Sequence, residues 1–137
     1  MHKIEHIGIA VRDLAKSNEL YSRLLGCEPY KMEAVKSENV MTSFFQMGES
    51  KIELLEASDP SSPIARFLDK RGEGMHHIAF AVEDIRKEMD RLKEQGFQLL
   101  NQEPKKGADN MLVCFVHPKT AGGVLVELCQ PIAEAEE

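Results

Sequence analysis

The sequence contains an internal repeat, and this repeat constrains the fold more than any other feature. Residues 6–14 (HIGIAVRDL) align without a gap with residues 77–85 (HIAFAVEDI). Later in each half, residues 52–55 (IELL) match residues 126–129 (VELC). A repeated supersecondary unit predicts two copies of one structural module that bury their apolar faces together.

Hydrophobic periodicity predicts a similar order of elements in both halves. Residues 4–11 alternate as a strand, and Asp13 and Gly26 stand where a helix N-cap and a terminating glycine belong. Asp84 and Gly96 occupy the same places around the predicted second-half helix. The other predicted strands are 28–34, 40–47, 51–56, 77–82, 97–100, 111–116 and 124–129, with a linking helix from Pro63 and a polar loop at 104–110.

These elements predict an α+β protein. Two βαβββ modules are expected to form one curved, mostly antiparallel eight-stranded sheet with the helices on its convex face. We expect a single domain over residues 1–137. Its expected parts are module one at about 1–58, a linking helix and loop at about 59–74, module two at about 75–131 and an acidic tail at 132–137.

Composition narrows the expected partners and compartment. The formal net charge of −6 at pH 7 argues against nucleic acid and membranes as partners. Three cysteines without paired spacing indicate free thiols in a reducing compartment, so we expect a cytoplasmic protein. The N-terminus enters a strand pattern at once, and no apolar run approaches the ~18 residues of a membrane span, so we expect neither signal peptide nor anchor.

The strand that contains His77 has two unlike faces. Its alternation directs Ile78 and Phe80 to a bulky side, and His77 with Ala79 to the other side. Small residues beside an imidazole leave room for a ligand, so this second face is expected to line a site. The adjacent His76 has the opposite phase and is interpreted as a buried structural histidine.

Each half also carries one carboxylate inside an apolar strand. Glu53 and Glu127 each lie between two apolar residues, at matching places in the repeat. A buried carboxylate is costly without a partner, and each half supplies a histidine at a matching place on its first strand. The duplication favours a divalent-metal site, and the alternative is a structural role for each residue. The candidate ligands are His6, Glu53, His77 and Glu127.

Basic residues in the second-half loops are candidate substrate contacts. We expect Lys105, His117 and Lys119 to meet an anionic substrate. The alternative is a solvated role for the lysines and a loop-shaping role for His117.

The paired His and Glu modules resemble the vicinal-oxygen-chelate superfamily, which includes glyoxalase I, extradiol dioxygenases and antibiotic-sequestering proteins. The resemblance covers essentially residues 2–130 and implies a metal-dependent isomerase, a racemase or epimerase, that acts on an acyl-CoA. Related proteins are usually homodimers. The stretches most similar to the methylmalonyl-CoA epimerase family are 62–68 (SPIARFL), 71–80 (RGEGMHHIAF), 117–119 (HPK) and 122–128 (GGVLVEL).

The resemblance also implies roles for individual residues. The metal ligands would be His6, Glu53, His77 and Glu127, with Co²⁺ as the expected ion and Zn²⁺, Mn²⁺ or Ni²⁺ as alternatives. The implied reaction is epimerisation at C2 through a metal-stabilised enolate, with Glu127 as the first base. Some family members carry a second catalytic Glu at a position that falls near Thr42, which cannot act as a base. We therefore hypothesise that Glu53 is the second proton-transfer group, with Glu38 or a water molecule as alternatives.

Two other functions are compatible with this sequence. A glyoxalase I-like lactoylglutathione lyase would use the same metal and proton chemistry. A metal-free small-molecule-binding protein of the antibiotic-sequestering kind would use the same fold without the metal. The family's glycine-rich loop reads Gly107–Asn110 here, so its substrate contacts do not carry over.

Overall fold

The computed structural model describes residues 1–133, and the predicted acidic end at 134–137 lies outside the described residues. No helix in the described part of the chain has the length and apolar character that crossing a bilayer requires. The helices are α1 (Leu14–Leu25), α2 (Pro63–Arg71) and α3 (Ile85–Glu94). The strands are β1 (Lys3–Ala10), β2 (Lys31–Val35), β3 (Val40–Met47), β4 (Ser50–Ala57), β5 (Gly74–Ala81), β6 (Lys105–Gly107), β7 (Met111–Val116) and β8 (Val126–Pro131).

The chain divides into two compact units, and each contains four of the eight described strands. The first unit is His6–His76, with strand order β2-β3-β4-β1. The second unit is Met1–Glu5 together with the chain from His77 onward, with strand order β5-β8-β7-β6. Each unit has one parallel pairing, β1 with β4 or β5 with β8, and its other pairings are antiparallel. The predicted α+β class with a repeated module is therefore confirmed.

In the first unit, α1 begins and ends where the sequence predicts. The Asp13 carboxylate accepts a hydrogen bond from the Lys16 N–H at 3.1 Å, which satisfies one of the free donors of the first turn. Gly26 ends the helix with φ 74°, a left-handed conformation that suits glycine. The first turn packs Leu14 against Phe45 and Leu54, so α1 covers one face of the first unit's strands.

The other face of the first unit is covered in part by α2. Ser62 caps this helix by accepting a hydrogen bond from the Ile64 N–H, and Pro63 follows at the first helical position. Ile64 and Leu68 are buried in one cluster. Their buried partners are Ala10, Val40 and Leu55, which come from β1, β3 and β4.

The second unit repeats this plan with α3. The Asp84 carboxylate accepts a hydrogen bond from the Lys87 N–H at 3.1 Å, which matches the Asp13 cap. This helix buries Ile85, Met89 and Leu92. Its core contains Val82, Ile85, Met89, Leu92, Cys114, Val116 and Leu128.

The sixth strand lies at a different place from the predicted one. A strand is predicted at 97–100, but that stretch forms only an isolated bridge between Leu99 and Val116. The strand β6 lies instead inside the predicted polar loop and pairs with β7. Asp109 and Asn110, with φ of 57° and 58°, turn the chain between the two strands, and these residue types tolerate left-handed backbone. Lysine is common on edge strands because it blocks further pairing, so polarity concealed this strand.

The face of β5 that was expected to leave room is the packed one. His77 and Ala79 are buried, whereas Ile78 is only half-buried. Ala79 is 0% exposed and packs in a cluster with Val113 and Cys129. Its small side chain therefore permits close packing, and the expectation of free space beside it is wrong.

Candidate functional site

In the first unit, His6 and Glu53 meet on one face of the neighbouring parallel strands β1 and β4. The register pairs His6 with Lys51 and Gly8 with Glu53, so alternation places both side chains on the same face. The Nδ1 atom of His6 lies 3.1 Å from Oε2 of Glu53, and each side chain is 5% exposed. The local arrangement is thus a buried imidazole against a buried carboxylate.

The second unit contains the same contact between β5 and β8. The register pairs Ala79 with Glu127, and Nε2 of His77 lies 3.0 Å from Oε1 of Glu127. These side chains are 6% and 7% exposed. The other carboxylate oxygen, Oε2, accepts a hydrogen bond from the Cys129 thiol at 3.4 Å. The His77 ring and a thiol therefore hold the Glu127 carboxylate from two sides.

An aromatic ring and a lysine extend the pair in the first unit. Phe44 stands directly opposite Glu53 in the antiparallel pairing of β3 and β4, so the two side chains share a face. The ammonium of Lys31, on β2, lies 5.2 Å from the centre of the Phe44 ring. A basic group therefore lies over the ring that neighbours Glu53.

The second unit has the same kind of row. Phe115 stands directly opposite Glu127, and its ring meets the His77 ring edge-on at 6.0 Å. The ammonium of Lys105, on β6, lies 5.7 Å from the centre of the Phe115 ring. Each unit therefore presents a row of Lys, Phe, Glu and His. Alternation alone reveals the His and the Glu but not the Phe and Lys beside them, because those depend on strand register.

The remaining predicted substrate contacts lie in the turn after β7. The Nδ1 atom of His117 accepts a hydrogen bond from the Lys119 N–H at 3.1 Å, and so caps the short 3-10 turn Pro118–Thr120. The Lys119 side chain is exposed. Of the three basic candidates, only Lys105 makes a described contact with a row residue. His76, predicted to be buried, is half-buried and meets the Phe67 ring edge-on at 5.0 Å.

Two other acidic residues of the first unit are candidates for a second acid. Glu33 stands opposite Thr42 in the pairing of β2 and β3, and its carboxylate lies 3.3 Å from the ammonium of Lys31. Glu38 ends a short 3-10 turn, and its carbonyl accepts a hydrogen bond from Ser62. Sequence reasoning missed Glu33, although its alternation with Lys31 on β2 is a usable signal.

The buried thiols of the second unit have different surroundings. Cys129 donates to Glu127, whereas Cys114 lies in the core beneath α3. Burial raises the pKa of Cys114 to about 11, so this thiol stays protonated at neutral pH and is a poor nucleophile. Cys114 is therefore not a candidate nucleophile, whereas Cys129 contacts the Glu127 carboxylate.

The geometry within each unit suits two tasks. Imidazole nitrogen and carboxylate oxygen are the donors that borderline divalent metal ions prefer. A carboxylate in a poorly hydrated place can also accept and return a proton. All four side chains of the two pairs are buried, so water competes little with a bound ion or a transferred proton.

Comparison with known proteins identifies the family. A model of the glyoxalase/bleomycin resistance protein/dioxygenase superfamily matches residues 5–115. The ethylmalonyl-CoA/methylmalonyl-CoA epimerase of Cereibacter sphaeroides is 42% identical over 130 residues, which cover 93% of this chain and 97% of that protein.

Solved structures agree with this comparison. The structure of methylmalonyl-CoA epimerase from Mycobacterium tuberculosis has a TM-score of 0.92 at 36% identity, and the match covers 96% of this chain and 89% of that one. A methylmalonyl-CoA epimerase in complex with methylmalonyl-CoA and NH4+ has a TM-score of 0.92 at 34% identity, with 96% and 95% covered. The chain therefore belongs to the glyoxalase/bleomycin resistance protein/dioxygenase superfamily and, within it, to the methylmalonyl-CoA epimerase family.

Proposed function

We propose that this protein epimerises methylmalonyl-CoA at C2 by removing and returning the proton on that carbon. The observation that carries the proposal is the repeated buried contact between a histidine and a glutamate, at 3.1 Å in one unit and 3.0 Å in the other. Relatives described as epimerases of this substrate support it. Because such relatives align over both repeats, we also propose that residues 1–137 act as one functional domain.

We propose one divalent metal ion as the cofactor, with Co²⁺ as the first candidate and Zn²⁺, Mn²⁺ or Ni²⁺ as alternatives. The donor set fits such an ion, because it consists of two imidazoles and two carboxylates from buried side chains. The proposed ligands are His6, Glu53, His77 and Glu127. When bound, the ion would supply Lewis-acid stabilisation of the negative charge that develops on the substrate.

Glu127 is the proposed base for the first proton transfer. The C2–H bond breaks, the proton moves to a carboxylate oxygen of Glu127, and the electron pair enters the thioester carbonyl to give an enolate. The Cys129 thiol donates to Oε2 of Glu127 and so orients the carboxylate. A carboxylate held in this way spends less of its time in unproductive positions.

Glu53 is the proposed partner that returns a proton to the opposite face of C2. In its protonated form it donates to the enolate carbon, and exchange with solvent restores both carboxyl groups for the next turnover. Thr42 offers no basic group at the position where some relatives carry a glutamate. If Glu53 is not the donor, the candidates are Glu33, Glu38 and a water molecule.

Basic side chains near the two carboxylates would favour the binding of an anionic substrate, although the net charge of the chain is −6. Lys31 and Lys105 stand over the rings next to the two carboxylates. His117 and Lys119, in the turn after β7, are further proposed contacts. A CoA thioester carries phosphates and, here, a carboxylate, so local cations favour its binding.

We propose a cytoplasmic homodimer. The free thiols of Cys27, Cys114 and Cys129 support a reducing compartment. The dimer rests on the family resemblance, and light scattering after gel filtration tests it: a monomeric mass contradicts that part of the proposal.

The decisive experiment is proton exchange. The protein is loaded with Co²⁺ and mixed with methylmalonyl-CoA in D2O, and deuterium at C2 is followed by mass spectrometry. We expect incorporation that a chelator abolishes and added Co²⁺ restores. Turnover of the methylglyoxal–glutathione hemithioacetal without exchange would identify a lactoylglutathione lyase. Tight small-molecule binding without metal or exchange would identify a binding protein, and either result contradicts the proposal.

A further inference from the structure

The hydroxyl of Thr42 is a buried donor without a hydrogen-bond partner in the described part of the chain, residues 1–133. The residue lies in β3 and is 0% exposed. An unsatisfied buried hydroxyl destabilises a fold, and such groups are uncommon in native proteins. A partner in another state of the molecule would explain why the hydroxyl is there.

The strand register places Thr42 beside Glu53. In the antiparallel pairing of β3 and β4, Thr42 stands opposite Leu55, and Phe44 stands opposite Glu53. Directly opposed side chains share a face, so Thr42 and Glu53 are diagonal neighbours on that face. Diagonal neighbours lie about 7–8 Å apart, a span that a glutamate side chain can largely cover.

The second unit shows what a donor at this place does. Val113 stands opposite Cys129, and Phe115 stands opposite Glu127, so these two pairs correspond to the two pairs around Glu53. There the donor is the Cys129 thiol, and it donates to Oε2 of Glu127 at 3.4 Å. Each carboxylate therefore has one buried donor in the neighbouring cross-strand pair, contributed by β8 in the second unit and by β3 in the first.

We propose that Thr42 is a positioning residue that donates a hydrogen bond to the Glu53 carboxylate when His6 and Glu53 bind a divalent metal ion. This inference rests on the metal site of the proposed function. In the structure, Oε2 of Glu53 lies against Nδ1 of His6. Two side chains that coordinate one cation direct their donor atoms to the cation, so the direct contact between them is replaced. Donors that orient a ligating carboxylate typically improve metal affinity or activity about 10–100-fold.

The next residue in the strand is a matched control. Ser43 is also 0% exposed, and its hydroxyl also has no partner among the described residues. It stands opposite Leu54, which packs with Leu14 and Phe45 on the α1 side of the sheet. We expect the removal of either hydroxyl to affect folding similarly, but of the two residues only Thr42 shares a face with Glu53.

The experiment compares the Thr42→Val and Ser43→Ala variants of the full chain. Co²⁺ affinity is measured by titration calorimetry, and the thermal unfolding of the metal-free proteins is measured in chelator. We expect Thr42→Val to raise the Kd for Co²⁺ about 10-fold or more without lowering the metal-free Tm. We expect Ser43→Ala to leave the Kd unchanged.

Further variants keep the inference falsifiable if Thr42→Val does not fold. Thr42→Ser retains the hydroxyl and should bind Co²⁺ like the wild type, whereas Thr42→Ala should bind it more weakly than Thr42→Ser. Wild-type affinity in Thr42→Val or Thr42→Ala, or equal weakening in Ser43→Ala, overturns the inference while the metal site stands. A wild-type protein that does not bind Co²⁺ overturns both.

Discussion

Glu53 and Glu127 occupy the same place in a duplicated module, but different groups surround them. The two oxygens of Glu127 contact the His77 ring and the Cys129 thiol. Beside Glu53, Leu55 takes the place of the thiol, and the corresponding buried donor is a hydroxyl on the opposite strand. A duplicated pair of glutamates therefore has different hydrogen-bond donors around it in the two units. Glu127 therefore has its buried donor in contact already, whereas the proposed donor to Glu53 makes no such contact in this structure.

The largest loss of activity is expected when one of the two carboxylates is replaced. General acid–base groups typically contribute 10²–10⁴-fold, so we expect Glu127→Gln to lower the C2 exchange rate about 10³-fold. Glu53→Gln should lower it less, about 10²-fold, because the hypothesis gives it the return step only. Exchange kinetics of the Co²⁺-loaded variants provide the measurement.

Metal analysis is the control for these variants, since glutamine keeps an oxygen that can coordinate. If Glu53→Gln retains metal and full activity, Glu53 does not transfer the proton. Glu33→Gln and Glu38→Gln would then identify whether another carboxylate does so.

A second comparison concerns the helix-facing cores. Leu54 and Leu128 match in the repeat, and both are 0% exposed. Truncation of a buried leucine costs about 2–5 kcal/mol, so Leu54→Ala and Leu128→Ala should lower the free energy of unfolding by amounts in this range. Urea unfolding followed by circular dichroism measures the loss. A loss below about 1 kcal/mol at either site would mean that the core there is poorly packed.

A smaller loss of stability is expected when either of the two corresponding helix caps is removed. Asp13 and Asp84 each accept a hydrogen bond from a backbone N–H at 3.1 Å, three residues later. Loss of such a cap costs about 1 kcal/mol, so Asp13→Ala and Asp84→Ala should be destabilised equally. Asp→Asn variants, which retain a capping oxygen, should lose less. Unequal losses would show that only one cap stabilises its helix.

A further expected effect is a loss of stability at alkaline pH, and it concerns Cys114. This residue stands opposite Leu128 as Ser43 stands opposite Leu54. Burial raises its pKa to about 11 from 9.0. The folded state therefore holds the proton more tightly than the unfolded state. The resulting stability is complete below about pH 9 and is lost as the pH rises through about 11.

The slope contributed by Cys114 is at most about 1.4 kcal/mol per pH unit. The free energy of unfolding of the wild type and of Cys114→Ala is to be compared between pH 8 and pH 11, a range set by the linkage argument. The alanine variant should lose less stability across this range. Parallel curves would show that the burial of Cys114 does not affect the alkaline limit.

The local pattern of the sequence was enough to predict most of the helices and strands. The caps at Asp13 and Asp84, the left-handed Gly26 and the buried positions of α3 all follow from neighbouring residues. The strand β6 does not follow from neighbouring residues, because its lysines are typical of a loop. Its strand conformation is recognised only from its pairing with β7 across the turn at Asp109. An edge strand of this kind is recognised from its pairing with a neighbouring strand, and the local sequence pattern does not show that pairing.

The sequence by itself determined the repeat, the fold class and the phase that puts His6, His77, Glu53 and Glu127 at corresponding places. Periodicity and duplication can both be recognised in the sequence without a structure. Only the tertiary structure decided which residues stand opposite these carboxylates. Cross-strand register joins residues on separate strands, and it put Phe44 and Phe115 opposite the glutamates. The same register gave Thr42 a buried hydroxyl beside Glu53, because side chains on facing strands meet only when the sheet is paired.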